Sequence, residues 1–210
     1  MIRTQQGASS GPDARLIRPV CAGDLGALQA FFTGLSVQTR YLRFFAPVRP
    51  TPALLALLSG GGNAYAVVAT RHGGTIIGHA IAADRAGPSG PMTEIGVVVA
   101  DAWQGQGVGS ALLRALIAAA RARGVTTVAM DVMADNWKAL AMIAAHWPEA
   151  RIGRSGTSVR VCAGLPGTWE EPRPAQLARQ GRRRRPGESS RSRRSSTTVA
   201  AGFLKAERPR

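Results

Sequence analysis

Val97-Val98-Val99-Ala100-Asp101-Ala102-Trp103-Gln104-Gly105-Gln106-Gly107-Val108-Gly109-Ser110 is the stretch from which the rest of the chain can be read. A run of β-branched residues ends a strand, glycines at alternate positions form a turn, and an Ala/Leu-rich segment follows at once. Glycines at 105, 107 and 109 bare backbone N–H groups and admit a ligand that a Cβ would keep away. The start of the following helix adds unpaired N–H groups and the positive end of a dipole, so Gln104, Gly105, Gln106, Gly107, Val108, Gly109 and Ser110 form a cradle for an anion or diphosphate. Two common phosphate loops are excluded by spacing. A Walker loop needs Gly-Lys-Ser/Thr, and no Lys precedes Ser110. A dinucleotide fingerprint needs GxGxxG near the first strand, whereas GxGxG follows the fourth predicted strand here. A glycine turn that serves only helix–strand packing is the competing reading.

Working outward, Arg15–Val20 alternates like a first strand. Asp24 can cap a helix to Gly34, with Leu25, Leu28, Phe31 and Phe32 on one side. Ser36 can cap a second helix over Val37–Phe45, and Pro52 opens a short third to Leu58. Ala64–Thr70, Thr75–Ala83 and Thr93–Val99 read as strands. His72-Gly73-Gly74 makes a hairpin turn between the first two, and Ala86–Pro91 a looser loop before the third. Beyond the glycine turn, Val108, Leu112, Ala115, Leu116 and Ala119 recur at helical spacing, which predicts a helix over Gly109–Arg123 stopped by Gly124. Thr126–Val132 is a β-branched strand, Asn136–Ala145 a helix and Ser158–Ala163 a last strand. This order predicts an α/β (α+β) fold, a mixed, mostly antiparallel sheet flanked by helices, with a crossover through the long helix.

The 210 residues, 45% of them apolar, suit one compact domain. The formal charge is +15, but residues 170–210 hold 12 basic and 4 acidic residues and so carry just over half of it. Arg182–Arg185 and the Ser/Arg run at 189–196 offer too little apolar surface to offset ordering entropy. The chain is therefore divided into a flexible leader at 1–13, a folded domain at 14–167 and a disordered Arg/Ser-rich tail at 168–210. Almost no aromatics interrupt the tail, so any nucleic-acid contact through it would be weak and non-specific. Two cysteines exclude a disulfide scaffold and a four-cysteine zinc site, and the three histidines form no metal-ligand pattern, so no metal is expected. No apolar run reaches the roughly 18 residues of a membrane helix, and the N-terminus lacks a signal-peptide core. A cytoplasmic protein without membrane contact is the expectation, with monomer and dimer both open.

Gln104-x-x-Gly107-x-Gly109, after a valine strand and before an Ala/Leu helix, resembles the acetyl-CoA-binding motif of the GNAT superfamily of N-acetyltransferases. Asn136, soon after the next strand, matches the place where that superfamily carries an Asn near the cofactor. Ile17-Arg18-Pro19 and Leu35-Ser36-x-x-Thr39-x-Tyr41-x-Arg43-Phe44 resemble the bacterial branch that contains protein-lysine acetyltransferases. The resemblance covers about 15–165. It implies a GNAT-like sheet and acetyl-CoA as cosubstrate, with amides of Gln104–Gly109 on the pyrophosphate. It also implies that the edge of Val97, Val98 and Val99 pairs with the pantetheine and polarises the thioester carbonyl. The activity implied is direct transfer of acetyl to a primary amine, with a protein lysine the favoured acceptor. A small amine (drug, polyamine or amino acid) is the alternative acceptor. A non-catalytic, acetyl-CoA-sensing, nucleic-acid-associated protein is the alternative from another class.

Such a transfer must remove a proton from an amine whose pKa is about 10.4, so a base near the thioester is useful. Glu94 is the only acidic residue between Asp84 and Asp101 and shares its strand face with Gly96 and Val98. Related GNAT enzymes often place a Glu there, which makes it the candidate base; a solvent-facing strand-end glutamate is the other reading. The Tyr that many of these enzymes use as a general acid has no counterpart in Trp137–Pro148, and no acid is assigned. The family's Leu-Gly-Phe is replaced by His146-Trp147-Pro148, which leaves the fold of 146–157 open. His79 reads as a packed sheet residue. Cys21 and Cys162 read as inert, and Phe31, Phe32, Phe44 and Phe45 as core and groove lid. Arg40, Arg43 and Arg49 read as solvated helix charges before substrate contacts.

Overall fold

The structure, a computed structural model, describes residues 15–87 and 90–165. The leader at 1–13, the outer limits of the 14–167 domain and the 168–210 tail lie outside the described residues. The elements are β1 (Leu16–Pro19), α1 (Leu25–Gly34), α2 (Val37–Phe44), α3 (Pro52–Leu58), β2 (Ala64–Thr70), β3 (Ile76–Gly87), β4 (Gly90–Val99), α4 (Val108–Ala122), β5 (Thr127–Met133), α5 (Trp137–His146), β6 (Arg151–Ser155) and β7 (Ser158–Gly164). They build one seven-stranded sheet in the order β1-β2-β3-β4-β5-β7-β6. Every neighbouring pair is antiparallel except β4–β5, which α4 connects as a parallel pair. This is the mixed, mostly antiparallel GNAT-like sheet that the pattern implies.

Strand alternation divides the core in two. On one face Val67, Ile77, Ala82, Ile95, Val128, Met130 and Val161 pack under Leu112, Leu116 and Ile117 of α4. On the other, Val68, Ile81 and Val98 meet Leu28, Phe32, Phe44 and Leu55 from the three N-terminal helices. Phe31, Phe32 and Phe44 are buried, as expected of core aromatics, while Leu25 is 46% exposed and leaves its helix face at the first turn.

Asp24 does not cap α1 through its side chain. Its carboxylate instead takes both Arg18 nitrogens at 2.6 and 2.7 Å and the Cys21 N–H at 2.8 Å. Ordinary helix-cap chemistry loses there to a charge-assisted, two-pronged pair that ties β1 to the following turn. The loop expected over Ala86–Pro91 is largely ladder, since Ala86 pairs with Pro91 and Gly87 with Gly90. Pro91 is tolerated because its main-chain groups face β5, where only its carbonyl is used, accepting from Thr126 N–H at 3.3 Å.

The 146–157 segment holds β6, which the sequence reading left out. All of its residues are exposed, so no apolar alternation announces it. Just before it Trp147, 5% exposed, plugs the α4-side core where the family pattern differs.

Candidate active site

β4 and β5 pair over only three residues: Met92 with Thr127, Thr93 with Val128 and Glu94 with Ala129. β4 runs on to Val99 and β5 to Met133 without further pairing between them. The sheet therefore forks at Glu94. The direction of the β4 main chain follows from one bond. Ala100 N–H donates to the Ile77 carbonyl at 2.9 Å, and bonded pairs alternate in an antiparallel ladder. Even-numbered β4 residues thus direct their N–H and C=O to β3, and Ile95, Val97 and Val99 direct theirs into the fork. Val98 differs from its neighbours: its main chain belongs to β3 and its side chain, 5% exposed, to the helix-side core.

At the open end of the fork, a one-turn 3₁₀ helix at Asp101–Trp103 leads into the glycine loop. Gly105 and Gly107 have φ of 76° and 79°, the left-handed region that costs other residues strain. Gly107 is the N-cap of α4, and the first intrahelical bond is Ala111 N–H to its carbonyl at 3.1 Å. The amides of Val108, Gly109 and Ser110 consequently have no partner inside the helix. Val108 anchors this start with a side chain 2% exposed. A Cβ on Gly105 or Gly107 would meet nothing within 4 Å, so backbone conformation rather than crowding calls for glycine at both positions. Uncommitted N–H groups at a helix start and a free strand edge fit a diphosphate joined to an amide-bearing arm.

The loop is held from outside. Arg15 donates to the Gln106 carbonyl at 2.6 Å and to Gln106 Oε1 at 3.1 Å, and its guanidinium lies over the Trp103 ring. Gln106 Nε2 donates to the Ala102 carbonyl at 2.9 Å. Gln104 Nε2 reaches the Val99 carbonyl at 3.2 Å and Thr39 Oγ1 at 3.3 Å. Asp101 accepts from Ser36 N–H at 3.0 Å, from Ser36 Oγ at 2.7 Å and from Thr39 Oγ1 at 2.7 Å. Burial works against its charge, but these hydrogen bonds outweigh it and hold the carboxyl below its ordinary range. Asn136 caps α5, its side chain accepting from Ala139 N–H at 3.2 Å.

Glu94 projects on the face opposite α4. It is 6% exposed, so the solvent-facing reading does not hold. Its Oε2 lies 3.0 Å from Arg85 Nε and its Oε1 3.7 Å from Arg160, which also pairs with Asp131 at 3.0 Å. Arg43 completes the cluster from α2, its guanidinium packed over Gly96. Burial lowers its pKa to about 10, partly opposed by the charge of Glu94, and it stays cationic at neutral pH. Neither Arg40 nor Arg43 is the solvated charge expected of its helix, since Arg40 donates to the carbonyls of Thr33, in α1, and Leu35, just after it, at 3.0 and 2.8 Å. Arg85, Arg160 and Asp131 escaped sequence reading because only the sheet order brings their strands beside Glu94.

The other candidates lie elsewhere. His79 is fully buried against Phe32 and donates from Nε2 to the Leu58 carbonyl at 2.8 Å. Tyr65 is tied to the Leu116 carbonyl at 3.1 Å, and burial pushes its pKa up to about 12. Cys21 and Cys162 are free thiols. Among the described residues no cluster of three or more His, Cys, Asp or Glu is placed to hold a metal ion, and no helix is long and apolar enough to cross a membrane.

The fold, with a glycine turn and helix start at the mouth of the forked strand pair, places the chain among acetyltransferases. The chain belongs to the acetyltransferase (GNAT) family, whose profile matches residues 35–146. It is 33% identical to acetyltransferase Pat of Mycolicibacterium smegmatis over 151 residues, 69% of this chain and 45% of that protein. The chain thus spans less than half the length of that relative. The GNAT domain of S. lividans PAT superposes with a TM-score of 0.64 at 27% identity, covering 75% of this chain and 99% of that one. A GCN5-related N-acetyltransferase from Kribbella flavida shares the fold, with a TM-score of 0.59 at 21% identity over 74% of this chain and all of that one. The described domain is a GNAT-family acetyltransferase domain.

Proposed function

We propose that the chain transfers acetyl directly from acetyl-CoA to the side-chain amine of a protein lysine, with Glu94 as general base. The observation that carries this reading is the fork itself: β4 leaves β5 at Glu94, so the carboxylate stands where the free strand edge begins. The amides of Val108, Gly109 and Ser110, with the turn at Gln104–Gly107, would hold the pyrophosphate. Val97 and Val99 would bond the pantetheine arm through their fork-facing main chains. Val98 would act only by fixing the strand, and Asn136 by holding the start of α5 beside the fork. Bound acetyl-CoA would supply the activated acetyl carbon and a thiol leaving group. The transfer forms an N–C bond and breaks a C–S bond. The amine proton passes to Glu94, directly or through one water, and the thiol leaves with a reference pKa near 8.5, which makes a dedicated acid dispensable. A carboxylate offers about four lone-pair positions; Arg85 and Arg160 engage one oxygen each, leaving positions for the incoming proton.

A protein acceptor is favoured by the border of this face. Arg160 lies on β7, and β6 beside it is exposed along its whole length, an open edge that a projecting lysine can cross. Calorimetry with acetyl-CoA, followed by a thiol-release assay on lysine peptides, folded proteins and a small-amine panel, tests the reading. Micromolar acetyl-CoA binding and mass-spectrometric acetyl-lysine on protein are expected. Acetylation of small amines alone would overturn the protein acceptor, and absence of acetyl-CoA binding would overturn the whole assignment.

A further inference from the structure

Resting on that reading, we propose that Thr39 is a positioning residue that couples the cofactor loop to the acceptor side of the site. Thr39 and Arg43 lie four residues apart on α2 and so on one helix face. Arg43 reaches the start of the forked part of β4 and Thr39 the turn that follows its end. Arg43 packs over Gly96, just past Glu94, while Thr39 Oγ1 donates to Asp101 at 2.7 Å and accepts from Gln104 Nε2 at 3.3 Å. The same Gln104 amide bonds the Val99 carbonyl at 3.2 Å, which by parity faces the fork. A hydroxyl suits this place because it donates to the carboxylate and still accepts from the amide. Asp101 also takes both donors of Ser36, the N-cap of α2, so the helix start cannot shift without disturbing the turn that leads into Gly105–Gly109.

The consequence is a mechanical link. A ligand that orders the glycine loop and the Val97–Val99 edge fixes Gln104 and Asp101, hence Thr39, hence the register in which Arg43 lies beside Glu94. Cofactor binding should therefore seat the acceptor side before the amine arrives. No feature of the motif Gln104-x-x-Gly107-x-Gly109 by itself requires this, because Thr39 comes 65 residues before Gln104.

Hydrogen exchange on the full chain, with and without saturating acetyl-CoA, reads the link without needing an acceptor. Amides of α2 should exchange more slowly with acetyl-CoA in the wild type, and Thr39→Val should lose most of that slowing. Its acetyl-CoA Kd should stay within about threefold, because the cradle amides are untouched. Its turnover should fall roughly ten- to hundredfold, with melting temperature nearly unchanged, as a misplaced site behaves. Thr39→Ser, which keeps the hydroxyl, should restore both. The proposal is overturned if acetyl-CoA binds but leaves wild-type α2 exchange unaltered, if Thr39→Val keeps wild-type kcat and KM, or if Thr39→Ser is as impaired as Val. A wild type that binds no acetyl-CoA would overturn the cofactor assignment and this link together, a result distinct from binding without coupling.

Discussion

The guanidinium of Arg43 occupies the space that a side chain at position 96 would need: a Cβ on Gly96 would come 2.6 Å from Arg43 Cζ. Glycine in the middle of a strand is costly, and one use for it is the close approach of another group. Here that group is a half-buried cation carried by α2 and set beside Glu94, with Nε lacking a hydrogen-bond partner among the described residues. The missing side chain on β4 is thus what lets an N-terminal helix bring a charge up to the sheet beside Glu94.

Gly96→Ala should consequently displace Arg43. Overpacking of this kind costs about 1–3 kcal/mol, visible as a lowered melting temperature. The main chain of Gly96 belongs to β3, so acetyl-CoA affinity should hold while turnover drops by roughly an order of magnitude or more. Steady-state kinetics beside calorimetry checks this; wild-type kcat with an alanine at 96 would remove Arg43 from the site.

Carboxylates placed in the cradle should separate binding from folding. A Cβ at Gly109 would sit 3.7 Å from Met142 Sδ and 3.8 Å from Val99 Cγ2, ordinary contacts, so the position has room. A negative charge in the first turn of α4 favours the helix dipole. Gly109→Glu should therefore leave melting temperature intact while abolishing acetyl-CoA binding through steric block and repulsion of the diphosphate. Gly107→Glu should do the same to binding at an added cost of about 1–2 kcal/mol, because φ there is 79°. Wild-type affinity in either variant would disprove the cradle.

Much of this was legible in the sequence. The α4 pattern Val108, Leu112 and Leu116 is buried as its spacing requires, and the valine strand, glycine turn and helix start stand in the order that the motif implies. Three things were hidden, each for a physical reason. Sequence alternation gives faces, not neighbours, so the Arg85–Glu94–Arg160–Asp131 chain of ion pairs had no local signal. β6 has Ile152 as its only large apolar side chain, 64% exposed, and is held by pairing with β7. Thr39 and Asp101 each look like ordinary turn and cap residues until the fold brings them within 2.7 Å.

His79 should make stability pH-dependent. Burial lowers its pKa to about 3, partly opposed by the Leu58 hydrogen bond, against an ordinary value near 6.5 in the unfolded chain. Between those values the unfolded state binds the extra proton, so the contribution is full above about pH 6.5 and is lost as pH falls. The slope from one such group approaches about 1.4 kcal/mol per pH unit. Burial lowers His146 in the same direction, so the wild-type slope has two sources, and His79→Gln should remove only one. Urea unfolding at pH 7, 6 and 5 measures the difference. Parallel curves for wild type and variant would mean that His79 takes up its proton in the folded state as readily as in the unfolded chain.

Glu94 carries the chemistry in this reading and has a structural rival role built into its surroundings. As a base it takes the amine proton; as an ion-pair hub it only holds Arg85 and Arg160 in place. Glu94→Gln distinguishes them, because the amide keeps the shape and one carbonyl acceptor while losing the charge. If Glu94 is the base, turnover should fall roughly 10²- to 10⁴-fold at pH 7 with acetyl-CoA affinity nearly unchanged. The defect should shrink as pH rises, since more acceptor then arrives neutral against an amine pKa of about 10.4. Melting temperature should fall in either case, because the pairs to Arg85 and Arg160 are weakened; if Glu94 is only a hub, the rate should scale equally at every pH. Arg160→Gln supplies the control: it breaks the pairs at 3.7 Å and 3.0 Å to Glu94 and Asp131 but leaves the carboxylate. As a base Glu94 should then keep its pH-dependent rate, whereas in the hub case this variant should reproduce the flat loss of Glu94→Gln. Full activity of Glu94→Gln at pH 7 with a lysine acceptor would rule out the base and point to water or a backbone carbonyl as the proton acceptor.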